Sequence, residues 1–439
     1  MPRSSSLESS AIPWRYGLLP SHVGSQENPA RTVAIFTVHG IGNQRHAETA
    51  NAMRIGFERA MDSAQLQEQC GVPYVHDGFW GNYDNFEASM PELAATLTEE
   101  ERESYQELFR ARSLSGFRTF LWFGGRLMRM VSLRTLFKVG PIRYCTYVLM
   151  GVMSIVGMAL LLVRAPRIMS TVVNDVRLYA GPEGDTERAI CENIDRRIIT
   201  QFLRLFGLSS TFEDLPDNEK LHLEGKPVVF NTVVWVSHSL GTVISYNALV
   251  DVIAACRTCV NGGAKPNATE SERHRARNAH RVIGGLHRFI TMGSPLQKAT
   301  FLFEEALREA HISAETLQWL FDYRAQHKMS VDEWWMNYYL VMDPVSGRLL
   351  HNTRFAPFIK NIHPARVGIP AACHTAYWLD VLVTSPIISR ALGRAVFYYD
   401  WQRAMWTENT VQWVRMLAFS LVVGMFAALC YGLFFWVSH

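Results

Sequence analysis

The sequence predicts an α/β protein built on a mainly parallel sheet, and three observations carry that expectation. Thr32–Val38 is a continuous apolar, β-branched run and Val228–Val236 a second, broken only by Asn231, the pattern of strands buried on both faces. Each leads into a turn of small residues, His39-Gly40-Ile41-Gly42 after the first and Ser237-His238-Ser239-Leu240-Gly241 after the second. Helical patterns alternate with these runs, as they do where crossover helices cover a parallel sheet.

Along the chain, residues 1–30 are rich in Ser, Pro and Gly and read as a loose arm. Met1–Tyr16 contains no apolar stretch, so no cleaved secretory signal is expected. Residues 47–66 read as a helix, Phe79–Tyr83 as a second short strand, and Pro91–Arg112 as a charged helix. Ile190, Ile194, Ile198, Ile199 and Phe202 recur at helical spacing and predict a helix over Asp175–Phe206. Thr242–Ala255 reads as an apolar helix and residues 257–285 as a polar, basic loop. Two further strands are expected, Arg288–Met292 ending at Gly293-Ser294-Pro295 and Asn337–Met342 ending at Asp343-Pro344. There is no internal repeat.

Composition bounds the function. Of 439 residues, 48% are apolar and 19% charged, which excludes a disordered or nucleic-acid-tail class. The net charge of +3 says little about partners, so local asymmetry has to. Seven cysteines without regular spacing make no disulfide framework. Cys256-x-x-Cys259 has no second pair, so neither a metal nor a cofactor is implied. Asn267-Ala-Thr269 matches a glycosylation acceptor by accident of sequence, and the cluster Arg273, His274, Arg275, Arg277, His280, Arg281 reads as a solvated loop rather than a nucleic-acid site.

The sharpest chemical signal is Val233–Val236 followed by Ser237-His238-Ser239-Leu240-Gly241 and an apolar helix. A tight turn between strand and helix projects a serine Oγ above a sheet and at a helix N-terminus, and small residues at positions 237 and 241 let strand and helix pack closely. Ser237 stands where glycine is usual. Acyl transfer passes through an oxyanion, which preorganised N–H groups stabilise. Leu240 N–H directly after the serine is one candidate donor, and Ile41 N–H, in a loop opened by His39, Gly40 and Gly42, is the other. A serine needs a base, and the base needs an acid to hold its tautomer. Asp343, at the carboxyl end of a predicted strand, is the candidate acid. Three histidines follow it, His351, His363 and His374; His374, which opens an apolar segment, is the preferred base.

The series Val38-His39-Gly40-Ile41-Gly42-Asn43, Ser237-His238-Ser239-Leu240-Gly241, Thr291–Pro295, Trp335–Asn337, Asp343–Gly347 and His374–Trp378 resembles the α/β-hydrolase serine esterases of the lipase and inositol-deacylase-like group. The likeness covers roughly residues 31–390 without the insert described below. It implies Ser239 as nucleophile, Asp343 as acid and His374 as base in a carboxylic-ester hydrolase, with no cofactor. A fold hosts many reactions. Acyl transfer or thioester hydrolysis by the same triad, and a catalytically silent membrane scaffold, are the alternative expectations.

Two uncharged runs, Tyr144–Val163 and Met416–Val437, span 20 and 22 residues. As helices each would be about 30 Å long, the thickness of a hydrocarbon core. Between Glu107 and Asp175 there is no acidic residue and ten basic ones, among them Arg126, Arg129, Arg134, Lys138 and Arg143. Interleaved with Phe, Leu, Met and Trp, they suit an anionic lipid surface. The strands before and after this stretch must join one sheet, so a single crossing is excluded. The candidate partner, Phe117–Phe137, carries four arginines, each costing roughly 3 kcal/mol at mid-membrane. A re-entrant or interfacial insert, or a lid over the site, is therefore expected over residues 113–169. It interrupts a catalytic domain made of 31–112 and 170–395. An amphipathic linker, 396–415, leads into a single-span tail at 416–437, with the catalytic domain on the cytoplasmic face.

Overall fold

The computed structural model describes residues 33–40, 48–63, 74–78 and 185–392, apart from 224, 303–306, 308–309, 332, 341, 344, 350–358 and 365–369. Isolated positions at 125, 179 and between 407 and 424 are also described. The expected arm, the Phe79–Tyr83 strand, the Pro91–Arg112 helix, the first apolar run, Ile41, Gly42 and His351 lie outside the described residues. So do nearly all of the basic insert and most of the 396–437 segment.

Among the described residues, six strands form one parallel sheet. They are β1 (Val33–Val38), β2 (Tyr74–Asp77), β5 (Thr232–His238), β6 (Leu286–Met292), β7 (Trp335–Tyr338) and β8 (Ile359–Ile362), in the order β2-β1-β5-β6-β7-β8. Every neighbouring pair is parallel. The remaining pair, β3 (Leu221–Leu223) and β4 (Lys226–Val228), is a small antiparallel hairpin.

The continuous apolar character of β1 and β5 is explained by layers on both sides. Ala34, Phe36, Val38, Val233 and Trp235 face one layer, where they meet α2 (Asp185–Leu205), α3 (Gly241–Gly263), α4 (Glu270–Gly285) and α6 (Ala310–Gln326). Val33, Ile35, Val234 and Val236 face the other, with α1 (Glu48–Ser63) and α8 (Val381–Leu392). Trp235 centres the first layer, its ring 5.0 Å from Phe36 and 4.6 Å from Phe202, with its indole N–H satisfied by Ser245 Oγ at 3.0 Å. Short helices α5 (Leu296–Leu302) and α7 (Pro370–Thr375) and a 3-10 turn (Tyr377–Leu379) complete the described elements.

Several expectations are corrected. The strand Tyr74–Asp77 was not anticipated; it precedes the Phe79–Tyr83 run, which lies outside the described residues. Residues 257–285 are not a loop: α3 continues to Gly263, and α4 follows. Thr269 caps α4, taking the Glu272 N–H on its Oγ1 at 3.2 Å, while Glu272 Oε2 takes the Thr269 N–H at 2.6 Å. Thr269, the third residue of the apparent glycosylation motif, is thus a helix cap. The basic residues of this stretch pair with a distant loop, His274 and Arg281 with Asp214 and Arg275 with Glu213. Cys256 and Cys259, one turn apart, lie within α3. β6 starts two residues earlier than expected, at Leu286. β7 starts at Trp335 and ends at Tyr338: Tyr339 N–H makes the last bond to β8, at Ile362 O, and Leu340 N–H turns away to the Tyr377 hydroxyl. Helix α6 was not anticipated.

Among the described residues, α3 is the one helix long and apolar enough to cross a membrane. It lies mid-chain and is buried from Gly241 to Val250. Of the expected C-terminal span, Leu417, Ser420 and Gly424 are described, and they are helical and exposed.

Gly56 of α1 tests the second layer. A Cβ there would lie 2.1 Å from Trp378 O and 2.9 Å from Thr384 Cγ2. Helix propensity alone favours Gly56→Ala by about 1 kcal/mol. The neighbour is a backbone carbonyl that cannot swing aside, so overpacking of about 1–3 kcal/mol or more decides the sign. Gly56→Ala is expected to lower the denaturant midpoint of unfolding, the opposite of what propensity alone gives.

Candidate active site

The order of the sheet reverses between β1 and β5: β2 lies beyond β1 on one side, and the later strands follow β5 on the other. Crevices at such switch points, beyond the carboxyl ends of the strands, are where α/β sheets hold ligands. Val38 pairs with Ser237, so the two glycine- and serine-rich turns leave the sheet side by side.

The second turn is sharp. Ser239 has φ of +55°, a left-handed conformation that costs a serine roughly 1–3 kcal/mol. Surrounding bonds hold it there. Its N–H donates to Met292 O at 3.0 Å, and its carbonyl accepts from Thr242 N and Thr242 Oγ1 at 3.0 and 2.7 Å. Close approach explains the small neighbours. A Cβ on Gly241 would sit 2.0 Å from His39 O, and one on Gly40 would sit 2.5 Å from Ser239 Cβ. Ser237, in the position where glycine is usual, is buried and donates to Ile290 O at 3.3 Å, so its hydroxyl is accommodated.

His374, on α7, reaches this turn across 135 residues. Its Nε2 lies 2.9 Å from Ser239 Oγ, and its Nδ1 lies 3.1 and 3.0 Å from the two oxygens of Asp343. A carboxylate only accepts, so Nδ1 carries the proton and Nε2 presents its lone pair to the serine hydroxyl. Asp343 is 2% exposed. Burial alone would raise its pKa. The hydrogen bond and charge of His374, then the Tyr377 hydroxyl and the Val345 N–H, override this and hold the carboxyl well below the usual carboxylate range.

Tyr377 and Ser346, neither among the expected site residues, complete the surroundings of Asp343. Tyr377 donates to Asp343 Oδ2 at 2.8 Å. Its single proton is thereby used, so the Ser346 hydroxyl, 3.1 Å away, donates to it. Burial, then the charge of Asp343, lifts the Tyr377 phenol well above its ordinary pKa. Asn337 and Asn361 brace the loop that follows Asp343. Asn337 Nδ2 donates to Gly347 O and to Asn361 Oδ1, both at 2.9 Å, and Asn361 pairs with both main-chain groups of Leu349. Lys298 Nζ donates to Val345 O at 2.9 Å. The signal for these residues lay inside the quoted motifs, since Ser346 belongs to Asp343–Gly347 and Tyr377 to His374–Trp378.

Ser239, His374 and Asp343 are brought together, with His39, Gly40, Ser237, His238 and Gly241 packed around them. Leu240 opens α3, so its N–H points from a helix N-terminus, and no acceptor among the described residues takes it. His39 is buried, donates Nδ1–H to Gly40 O at 2.8 Å and is held neutral, its pKa pushed down to about 4 by burial. The His363 ring lies 5.1 Å from that of Tyr339 and tilted to it, just past the end of β8. Burial pushes the Cys256 thiol well above its ordinary pKa, so it carries no thiolate chemistry. Among the described residues no group of three His, Cys, Asp or Glu side chains is placed to hold a metal ion.

The arrangement can remove a proton from Ser239 Oγ and hold the resulting imidazolium against a carboxylate. The depressed Asp343 also makes a signed prediction. A carboxyl whose folded pKa lies below its unfolded value, about 3.9 for Asp, stabilises the fold above that value and loses the contribution as pH falls toward the folded pKa. Asp343→Asn is therefore expected to lower the melting temperature at neutral pH, and the gap to the wild type should close below about pH 4. A gap independent of pH would contradict the assignment. Compared with family models, with curated proteins and with solved structures, the chain matches none, so this site is interpreted from its own geometry.

Proposed function

We propose that the protein is a membrane-bound serine hydrolase of the α/β-hydrolase kind, cleaving carboxylic esters of lipids or long acyl chains through an acyl-enzyme on Ser239. The observation that carries this reading is the unbroken hydrogen-bonded series from Ser239 Oγ through His374 to Asp343. It supplies a nucleophile, a base and an acid that fixes the base's tautomer.

In this reading His374 Nε2 takes the hydroxyl proton as Ser239 Oγ bonds to the ester carbonyl carbon. The carbonyl π pair moves onto oxygen, where Leu240 N–H and, by position in the sequence, Ile41 N–H receive it. Ser239 sits at the N-terminus of α3, whose dipole favours that negative charge. The alkoxy C–O bond then breaks, and the departing alcohol takes the proton from His374. Water, deprotonated by the same imidazole, attacks the acyl-enzyme and releases the acid with Ser239 restored.

Three features support a lipid substrate. Val414 packs together with Met342 against Tyr339, so the uncharged C-terminal run begins beside the loop that carries Asp343. Trp413 and Leu417, one turn apart, are 69% and 65% exposed, an apolar stripe suited to a bilayer. The basic insert, through Arg126, Arg129, Arg134, Lys138 and Arg143, supplies cations for an anionic lipid surface. Arg403 and Arg415, which precede the uncharged run, favour a catalytic domain on the cytoplasmic face.

Fluorophosphonate labelling tests the chemistry. The wild type is expected to label on Ser239 and to cleave acyl esters, and Ser239→Ala to lose both; undiminished turnover in that variant would reject the reading. Deleting residues 416–439 is expected to release the protein from membranes in part, with the insert retaining residual affinity. Full solubility of the truncated chain would contradict the insert's membrane role.

A further inference from the structure

His238 lies between the two serines of the elbow and does not take part in the chemistry above. It is buried, yet its ring is surrounded by the base and its neighbours. The His374 ring centroid lies 4.8 Å away, and those of Tyr377 and Trp378 lie 5.6 Å away. Its Nε2 lies 2.7 Å from the main-chain oxygen of His374. A carbonyl only accepts, so His238 carries its proton on Nε2 and donates it. Room for this ring is built into the next strand's turn. Gly293 has φ of +59°, and a Cβ there would meet His238 Nε2 and Tyr377 Cε2, each at 3.0 Å.

We infer that His238 is a positioning residue that holds the base in place after Ser239 has been acylated, and this rests on the serine-hydrolase reading. Before acylation the nucleophile and base are joined twice, by Ser239 Oγ–His374 Nε2 and by His238 Nε2–His374 O. Acylation removes the first link, since the serine oxygen has lost its proton and carries the acyl group. The second link is untouched by the reaction and ties the elbow to α7 while His374 must meet a water molecule. His238 also suits this place electrostatically. Burial, then the neighbouring His374, pushes its pKa down to about 3, so it adds no second positive charge beside the imidazolium that forms in each half-reaction.

The test compares His238→Leu, which cannot donate, with His238→Gln, whose amide nitrogen takes the place of Nε2. With an activated acyl ester, His238→Leu is expected to keep a burst of one product equivalent and to lower kcat about 10-fold or more, with a smaller fall in kcat/KM. His238→Gln should recover most of kcat. In proton spectra of protein labelled with nitrogen-15 histidine, the His374 Nδ1–H bonded to Asp343 should stay sharp in the wild type and His238→Gln and broaden in His238→Leu. Equal falls in kcat and kcat/KM, no rescue by Gln, or an unaltered Nδ1–H signal in His238→Leu would each overturn the positioning role. A wild type that never labels at Ser239 would instead remove the hydrolase reading, and the spectra would still decide whether His238 orders His374.

Discussion

The carboxylate of Asp343 is a fully desolvated charge, and the layout of the rim follows from the need to satisfy it. Removing an anion from water without partners costs far more than a domain's margin of stability. Its partners come from separate stretches of chain: His374 on α7, Tyr377 in the 3-10 turn, and the N–H groups of Val345 and Ser346 in the loop after β7. To collect them, the chain must leave β7 at Tyr338, bend so that Leu340 N–H meets the Tyr377 hydroxyl, and bring α7 back over the elbow. The same bonds orient the imidazole. Burying this charge and placing the base are one structural event.

The sheet supplies the frame. Parallel strands place all their carboxyl ends at one edge, so turns far apart in sequence emerge there together. The strand-order reversal between β1 and β5 sets His39-Gly40 against His238-Ser239, and the missing side chains of Gly40 and Gly241 let the two backbones touch. The strain at Ser239 is held by bonds to β6 and to the first turn of α3, so it does not depend on the histidine.

What the sequence disclosed followed how local each signal was. The elbow was legible because strand, turn and helix are contiguous from Thr232 to Gly263. Asp343 and His374 were legible from their order along the chain, although β7 ends five residues before the acid and not beside it. The stretch 257–285 was misread because its basic residues look solvated in isolation. Their partners, Glu213 and Asp214, lie about 60 residues upstream, and the Thr269–Glu272 capping pair was given no weight. The hydrogen bonds of Tyr377 to Asp343 and of His238 to His374 span 34 and 136 residues, and no periodicity in a single sequence encodes them.

The backbone contact between His39 and Gly241 also bears on how this chain can change. It fixes the two ends of a passage of roughly 190 residues, from the end of β1 to the start of β5, while asking little of the path between β2 and α2. Closing a longer excursion adds only about 0.6 kcal/mol for each doubling of its length. The rim around Ser239 thus places little demand on the length of that intervening stretch. Changes in the length or charge of that stretch need not move the serine, imidazole and carboxylate.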